Sequence, residues 1–350
     1  MNLEKLIRPN IRALAPYKSA RHDHSAGILL DANENSLGSV LSTNSTALNR
    51  YPDPRQLQLR SRLGEVNGVD LKSVFVGVGS DEVIDLLLRI FCRPDTDRVL
   101  LLEPTYGMYR VSASIQDASV DSALLTDDFN IDRSATVKEL HSDTKLIFCC
   151  SPNNPTGNIL RAEDILWLCS VAPGMVVVDE AYIDFADTPS LTRSVSATPN
   201  LIVLRTLSKA WGLAAIRLGY CVADPSVVEY LMKVKSPYNI NALTEHATLE
   251  ALSLQGVRDS FVARIRSERE RVMRELRSVR CVREVLPTDA NFFLIRCADP
   301  KLVYRHLLAQ GIVVRDRSNE PKLNGCLRIT VGTPEENDAL LSAIREIEIQ

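Results

Sequence analysis

The sequence of 350 residues has no long hydrophobic run and little net charge of either sign. No apolar stretch approaches the roughly 18 residues that a membrane-spanning helix needs, and the first residues, MNLEKLIRPN, lack the apolar core of a signal peptide. The net charge is −3 and no long basic run is present, which argues against nucleic-acid and membrane partners. We therefore expect a soluble protein of the cytoplasm.

Patterns typical of metal sites and disulfides are also missing. The eight cysteines form no CxxC pair and lie mostly in apolar segments such as LIFCC, which predicts reduced, buried side chains. Of the five histidines, only His22 and His24 lie close together, in a polar segment that is typical of a loop rather than of a metal site. We predict that the protein binds no metal.

Short apolar segments alternate with helical patterns from about residue 74 to residue 224. This alternation predicts an α/β fold, with a mostly parallel sheet covered by helices and with ligand groups gathered at the strand ends. The strands are predicted near residues 74–78, 99–102, 146–150, 175–179, 201–205 and 218–222.

A charged helical stretch, residues 260–279, leads into a second set of elements that is predicted to form an α+β unit. Its strands are predicted near 291–296, 312–315 and 326–331, and its helices near 299–309 and 334–347. Because 350 residues exceed one typical domain and 45% of them are apolar, we expect two domains. The predicted division is a large domain over residues 31–257 and a small domain formed by residues 1–30 and 258–350.

The segment TLSKAWGLAAIRLG carries the strongest chemical signal, because it combines Thr206, Ser208, Lys209 and Arg217. A lysine can form a Schiff base with the aldehyde of pyridoxal phosphate. Hydroxyl groups one and three residues before that lysine, and an arginine eight residues after it, can bind the phosphate dianion of the cofactor. A lysine in such a context is otherwise a solvated surface residue, so the hypothesis depends on partners elsewhere in the chain.

Two strand ends supply such partners. The apolar run MVVVD ends at Asp179, whose carboxylate can pair with the pyridinium nitrogen of the cofactor, and Tyr182 could reach the phenolic oxygen of the same ring. The alternative is that Asp179 and Glu180 cap the next element. Upstream, a predicted strand runs into the turn SPNNPTG, which presents Asn154 where a ligand would lie.

The segment VFVGVGSDEVIDLLLRI predicts a strand followed by a helix from about Asp81, with Ser80 as its N-cap. The free N–H groups and the dipole at the start of such a helix suit a phosphate, and the glycines allow close approach. An ordinary capped helix is the alternative interpretation. GVGSDE does not match the GxGxxG pattern, so a dinucleotide is not implied.

In this order, the four segments resemble the fold-type I, aspartate-aminotransferase-like family of pyridoxal phosphate enzymes over nearly the whole chain. Four further segments are similar to histidinol-phosphate aminotransferases: IRALAPYKSAR near the amino end, RYPDP at 50–54, EPTYGMY at 103–109 and GCLRITVGT at 325–333.

The resemblance implies a role for each matching residue around pyridoxal phosphate. Lys209 would be the Schiff-base lysine and the proton carrier between the substrate Cα and the cofactor C4′, and Asp179 would bind the ring nitrogen. Asn154 and Tyr182 would bind the phenolic oxygen, and Tyr106 would stack on the ring. The phosphate would be bound by Ser80, Asp81, Thr206, Ser208, Arg217 and, from the neighbouring subunit of a homodimer with shared active sites, Tyr51.

The resemblance also implies a substrate-binding set, which consists of Arg328, Arg315, Tyr17 and Asn33. A guanidinium offers a planar fork to a carboxylate or a phosphate, so Arg328 could bind the α-carboxylate of glutamate and the phosphate of histidinol phosphate in turn. Many members of the family have proline where this chain has Ser36, which affects the loop around Asn33.

The implied reaction is ping-pong transamination through Lys209, which converts histidinol phosphate and 2-oxoglutarate to imidazole-acetol phosphate and glutamate in histidine biosynthesis. An aromatic or broad-specificity aminotransferase and a threonine-phosphate decarboxylase would keep the same cofactor residues and stay open as alternatives. A ligand-sensing domain of a transcription regulator is a further alternative. Such a regulator should carry a DNA-binding segment, for which we expect no room before the first family motif.

Overall fold

A seven-stranded sheet forms the larger part of the computed structural model, which describes residues 3–17, 20–21, 28–41 and 47–347. Its spatial order is β1-β7-β6-β5-β4-β2-β3, and β7 is antiparallel to both of its neighbours while the other pairs are parallel. The strands are β1 (Val74–Val78), β2 (Arg98–Glu103), β3 (Ser119–Leu124), β4 (Thr144–Cys150), β5 (Met175–Asp179), β6 (Leu201–Thr206) and β7 (Leu218–Val222).

Helices cover both faces of this sheet, because its central strands are apolar on both sides. Along β4, Leu146, Phe148 and Cys150 belong to one hydrophobic cluster, and Ile147 and Cys149 to the other. This is the expected alternation of a strand that is buried on both faces. The helices of this part are α1 (Leu3–Leu6), α2 (Pro9–Ala13), α3 (Leu57–Asn67), α4 (Gly79–Phe91), α5 (Met108–Ile115), α6 (Arg133–Lys138), α7 (Ala162–Val171), α8 (Pro225–Val234) and α9 (Ala242–Ala251).

The remaining elements form a four-stranded antiparallel sheet in the order β10-β11-β9-β8, with a hydrophobic cluster of its own against three helices. The elements are α10 (Gln255–Leu276), β8 (Val282–Val285), β9 (Phe292–Cys297), α11 (Pro300–Ala309), β10 (Arg315–Asp316), β11 (Cys326–Thr330) and α12 (Pro334–Arg345). The predicted α/β fold with a mostly parallel sheet, and with a smaller α+β part, is confirmed.

Residues 3–13 do not pack on the smaller sheet. Ile7 belongs to the cluster beneath α4 and α8, and the Arg8 N–H donates to the Ile90 carbonyl oxygen at 3.0 Å. These contacts place the segment with the larger part, whereas the predicted division assigned residues 1–30 to the small domain. The rest of that division, 31–257 against 258–350, follows the two hydrophobic regions and stays a proposal.

Two strands, β3 and β8, were not predicted, because both carry polar residues and lie at sheet edges. All eight cysteines are buried and free, as expected. Within the described ranges, no helix combines the length and the apolar character that a membrane crossing requires. His22 and His24 lie outside the described residues.

Candidate active site

A cavity of about 230 Å³ lies at one edge of the larger sheet. It brings together all the predicted cofactor residues except Tyr51. Its lining consists of Gly79, Ser80, Asp81, Tyr106, Cys150, Asn154, Asp179, Ala181, Tyr182, Thr206, Ser208, Lys209, Ala214 and Arg217.

The strand directions explain why these residues meet. Asp179 and Thr206 are the last residues of the parallel strands β5 and β6, and Asn154 follows the end of β4. Because β7 is antiparallel to β6 and to β1, its first residue, Leu218, pairs with Val78 at the end of β1. Arg217, just before β7, therefore lies at the same edge as the strand ends, which is where α/β sheets bind ligands.

The turn between β1 and α4 packs closely against Arg217 and against Gly219 of β7, so a Cβ atom at Gly79 or at Gly219 would be too close to its neighbours. The Gly79 N–H donates to the Arg217 carbonyl oxygen at 2.9 Å, and Gly79 has a φ of +74°. A Cβ atom at Gly79 would lie 2.7 Å from Arg217 Nη2, and one at Gly219 would lie 2.2 Å from the Ser80 nitrogen. Helix α4 begins at Gly79, with Val78 in the N-cap position and no side-chain cap. The prediction of Ser80 as N-cap is therefore wrong, because the glycine turn starts the helix two residues before the predicted start at Asp81.

The groups around this helix start fit a phosphate. The Thr206 hydroxyl donates to the Ser208 Oγ at 3.0 Å, and the Ser208 N–H donates back to the Thr206 Oγ1 at 3.1 Å. The Arg217 Nη2 lies 3.6 Å from the Asp81 Oδ2, and this pair is partly open to solvent. Hydroxyl groups, one guanidinium and the free N–H groups of a 13-residue helix together form an anion site of the kind that helix starts provide.

Asp179 is a buried carboxylate that lines the same cavity. Its Oδ2 accepts a hydrogen bond from the Tyr109 hydroxyl at 2.8 Å, and its Oδ1 accepts one from the Ala181 N–H at 3.1 Å. Burial raises the pKa of Asp179 to about 6, while the two hydrogen bonds lower it and the charge of Asp81 raises it further. A carboxylate held in this way is stabilised by a cation such as a protonated ring nitrogen.

Lys209 lines the same cavity from the loop after β6, and it is exposed to solvent. Desolvation lowers the pKa of the Lys209 amine, the positive charge of Arg328 lowers it further, and Asp179 raises it. The Nζ atom lies 5.6 Å from the centre of the Tyr182 ring. A lowered pKa increases the neutral, nucleophilic fraction of the amine.

The two cavity tyrosines stay protonated at neutral pH. Burial raises the pKa of Tyr106 to about 12, and its hydroxyl lies 3.5 Å from the Asp81 Oδ1. Burial also raises the pKa of Tyr182, whose ring meets Phe292 edge-on at 5.0 Å. Both phenols can therefore donate hydrogen bonds to an oxygen in the cavity.

Arg328 of β11 brings the smaller sheet to the cavity. Its Nη1 donates to the Asn154 Oδ1, and its guanidinium lies 5.2 Å from the centre of the Phe292 ring. Burial, Arg317 and Arg315 lower the pKa of Arg328. Arg315 is directly opposite Arg328 in the β10–β11 pair. Arg328 provides positive charge near Lys209, and Arg315 and Arg317 add positive charge near Arg328, which suits a carboxylate or a phosphate.

Apart from Arg328, four predicted residues do not line this cavity within one chain, and one of them, Arg315, is exposed on β10 beside Arg328. Tyr17 is exposed and lines a separate cavity of about 650 Å³. Asn33 and Tyr51 together line another cavity, of about 210 Å³, and the Tyr51 ring stacks on Tyr238 at 4.4 Å.

Two aromatic residues that contact the predicted site residues, Tyr109 and Phe292, were not predicted from the sequence. Tyr109 lies three residues after Tyr106 in EPTYGMY, and that helical spacing was the available signal. Nothing in the sequence indicates that Phe292 packs against both Tyr182 and Arg328, since these residues are far apart in the chain.

A buried ion network supports the loops behind the cavity. The Arg205 Nη2 donates to the Asp184 Oδ1 at 2.7 Å, and its Nη1 lies 3.8 Å from the Glu180 Oε2. Arg258 of α10 lies 3.5 Å from the same Asp184 oxygen and 4.7 Å from the centre of the Trp211 ring. The Glu180 carboxylate also accepts a hydrogen bond from the Leu191 N–H. It therefore stabilises a turn further along the chain and does not cap the residues that directly follow it.

One group of possible metal ligands lies outside the cavity. Asp121, Glu139 and His141 each offer a ligand atom within 4.8 Å of the others, but the Asp121 Oδ1 already accepts from Arg98 at 2.6 Å. Exposed groups of this kind are common without a metal. The absence of a bound metal stays a prediction.

Comparison with known proteins places this geometry in a family. The family model "Aminotransferase class I and II" matches residues 25–344. L-threonine-O-3-phosphate decarboxylase from Porphyromonas gingivalis has a similar structure, with a TM-score of 0.72 at 22% identity over 85% of this chain and 90% of that one. The chain is thus a member of the class I and II aminotransferases, and its fold is shared with enzymes of more than one reaction.

A closer relationship follows from the sequence comparison. The chain is 45% identical to the histidinol-phosphate aminotransferase of Cytophaga hutchinsonii over 346 residues, which cover 98% of this chain and 99% of the relative. The histidinol-phosphate aminotransferase of Sinorhizobium meliloti, solved in complex with pyridoxal-5'-phosphate, has a TM-score of 0.78 at 24% identity, over 85% of this chain and 83% of that one. The chain belongs to the histidinol-phosphate aminotransferase family, which confirms the resemblance seen in the sequence.

Proposed function

We propose that the protein transfers an amino group between histidinol phosphate and 2-oxoglutarate, with pyridoxal phosphate as cofactor, in histidine biosynthesis. The observation that carries the proposal is the meeting of Lys209, Asp179 and an anion site in one cavity, in a chain 45% identical to a histidinol-phosphate aminotransferase over nearly its full length.

The cavity offers a partner for each part of pyridoxal phosphate. Thr206, Ser208, Arg217 and the N–H groups at the start of α4, next to Ser80 and Asp81, would hold the phosphate. Asp179 would hold the ring nitrogen, Asn154 and Tyr182 the phenolic oxygen, and Tyr106 the ring face. When bound, the cofactor supplies an aldehyde that takes an amine covalently and a ring that stabilises negative charge at the substrate Cα.

The protein's own residues carry the proton steps. Lys209 would hold the aldehyde end of the cofactor, and its neutral amine would take the proton from the substrate Cα and deliver it to C4′. The lowered pKa of Lys209 favours the neutral amine that this step requires. Asp179 keeps a proton on the ring nitrogen, so negative charge from Cα can be accommodated there.

Arg328 would bind the anionic end of each substrate in turn. Its guanidinium is held by Asn154 and the Phe292 ring, next to Lys209. Glutamate presents a carboxylate to it and histidinol phosphate presents a phosphate, and the neighbouring Arg315 suits the second charge of the phosphate. A single anionic site therefore serves both half-reactions.

Tyr17, Asn33 and Tyr51 would complete the site in a homodimer, with Tyr51 bound to the cofactor phosphate of the partner subunit. Support comes from Ile28, Leu37 and Val40, which are near Asn33 in the sequence and are 93%, 96% and 99% exposed. A concentration of exposed apolar residues in one short segment is consistent with an interface. A cytoplasmic location is part of the same proposal and is consistent with eight free cysteines.

Single-turnover absorbance of the cofactor-loaded protein tests the proposal. Rapid conversion of the bound cofactor to its amine form by L-histidinol phosphate, at lower concentration than by phenylalanine, is the expected result. A preference for phenylalanine would favour an aromatic aminotransferase. Release of carbon dioxide from threonine phosphate would favour the decarboxylase, whose fold is the same.

A further inference from the structure

Tyr109 is fully buried behind the cavity and does not line it. Its hydroxyl donates to the Asp179 Oδ2 at 2.8 Å. Its ring stacks on Phe148 of β4, with centroids 4.6 Å apart, and meets the Tyr106 ring edge-on at 5.4 Å. One buried side chain thus contacts both the carboxylate and an aromatic ring of the cavity.

Asp179 accepts one hydrogen bond from the Tyr109 side chain and one from the backbone. Only the bond from the Tyr109 hydroxyl can be removed by a substitution of the donor side chain. The other oxygen of Asp179 accepts from the Ala181 N–H, which belongs to the chain segment next to Asp179 itself. Asp179 makes no ion pair within the described part of the chain. The titratable groups that face it are Tyr109 of α5, Asp81 of α4, Cys150 of β4, and Lys209, Tyr106 and Tyr182 from the loops.

We propose that Tyr109 is a positioning residue for the cofactor, whose hydroxyl holds Asp179 as the acceptor for a protonated ring nitrogen and whose ring seats Tyr106. This inference rests on the function proposed above. It assigns the hydroxyl and the ring separate tasks: the first acts on the charge of Asp179, and the second on the packing of the cavity wall.

Because the Tyr109 hydroxyl acts on the charge of Asp179, its removal should weaken cofactor binding in a pH-dependent way. A hydrogen bond to a carboxylate favours its ionised form, so removal of the hydroxyl raises the pKa of Asp179 above its present value of about 6. At pH 6 the carboxyl group is then mostly neutral and must ionise before it can pair with a ring cation. At pH 8.5 it is ionised with or without Tyr109, and the effect disappears. A mere loss of packing would weaken binding equally at every pH.

The variant Tyr109→Phe removes only the hydroxyl and keeps the ring on Phe148. We expect its dissociation constant for pyridoxal phosphate to exceed that of the unmodified protein by roughly tenfold near pH 6, as for a hydrogen bond to a charged group, and to approach it above pH 8. Tyr230→Phe is the matched control, because the Tyr230 hydroxyl also donates to a carboxylate, the Glu4 Oε1, at 2.8 Å. Its pH profile should follow that of the unmodified protein.

Site-specific incorporation of 3-fluorotyrosine at position 109 gives a second test that retains the hydroxyl and the ring. The fluorinated phenol is a stronger donor, so binding at pH 6 should tighten while binding at pH 8.5 stays the same. A pH-independent weakening in Tyr109→Phe, or an unchanged profile with fluorotyrosine, would overturn the inference. Failure of the unmodified protein to bind pyridoxal phosphate would overturn the proposed function as well, whereas binding without turnover of histidinol phosphate would affect only that function.

Discussion

The two groups of predicted site residues differ in how the chain holds them. Asp179 and Thr206 end strands in which every residue is buried, and the residues near them meet in one cavity. Tyr17, Asn33 and Tyr51 lie outside helices and strands, on a surface with exposed apolar side chains. A sheet buried on both faces determines where its end residues lie. All the predicted cofactor residues except Tyr51 therefore meet within one chain. Tyr51, Tyr17 and Asn33, under our proposal, act in the site of a second chain.

The largest expected effect comes from Lys209, within the cavity that one chain forms. Lys209→Ala removes the amine that holds the cofactor and moves the proton, so turnover of histidinol phosphate should fall by more than roughly 10⁴-fold. Single-turnover absorbance measures the change. Lys301→Ala, on the exposed surface of α11, is the control and should leave the rate unaltered. Near-normal turnover in Lys209→Ala would contradict the assignment of the cavity.

Asp179→Asn tests the buried charge. Loss of the carboxylate should slow removal of the Cα proton by roughly 10²–10³-fold, the range typical of a deleted electrostatic stabiliser. The reaction of the loaded variant with histidinol phosphate, followed by absorbance, gives this rate.

The same variant should be more stable than the unmodified protein when the cofactor is absent. An acid whose pKa is raised on folding binds more protons in the folded state, so stability is lost as the pH rises from the ordinary pKa of 3.8 to about 6. The full loss corresponds to roughly 3 kcal/mol. In thermal melting without cofactor, Asp179→Asn should have a higher melting temperature than the unmodified protein at pH 8 but not at pH 4. An equal advantage at both pH values would contradict the buried charge.

A smaller effect is expected for the second group of residues, which is represented here by Tyr51. Tyr51→Phe keeps the stack on Tyr238 and removes the hydroxyl, so the apparent affinity for pyridoxal phosphate should fall by roughly tenfold. The decisive measurement uses mixed dimers of Tyr51→Phe with an excess of Lys209→Ala. The only sites that retain Lys209 then receive an intact Tyr51 from the other chain, and their activity should show the affinity of the unmodified protein. A site built by one chain would keep the weakened affinity.

The same difference explains what could be predicted from the sequence. Asn154, Asp179 and Lys209 follow apolar runs, and parallel strands bring such positions to one edge, so their meeting was predictable. The spacing of Tyr109 from Tyr106 could have indicated that their rings are neighbours, but the hydrogen bond to Asp179 joins residues 70 apart in the chain and has no local signal. The strands β3 and β8 were missed because edge strands with polar residues lack the apolar pattern. The packing of α1 on the larger part depends on contacts with α4 and α8 that no local pattern reports.

The smallest expected effect tests whether the strand ends alone fix the positions of the cavity residues. Asp184 follows Tyr182 by two residues, and Trp211 follows Lys209 by two, so Arg258 of α10 contacts both functional loops. Arg258→Met should lower the free energy of unfolding by about 1 kcal/mol, as for a partly buried ion pair with a cation–π contact. Turnover should fall severalfold as well, because the loops that carry Tyr182 and Lys209 lose a shared support. Arg274→Met, exposed on the same helix, is the control for thermal melting and turnover. A stability loss with unchanged turnover would show that the strand ends hold the two loops without help from α10.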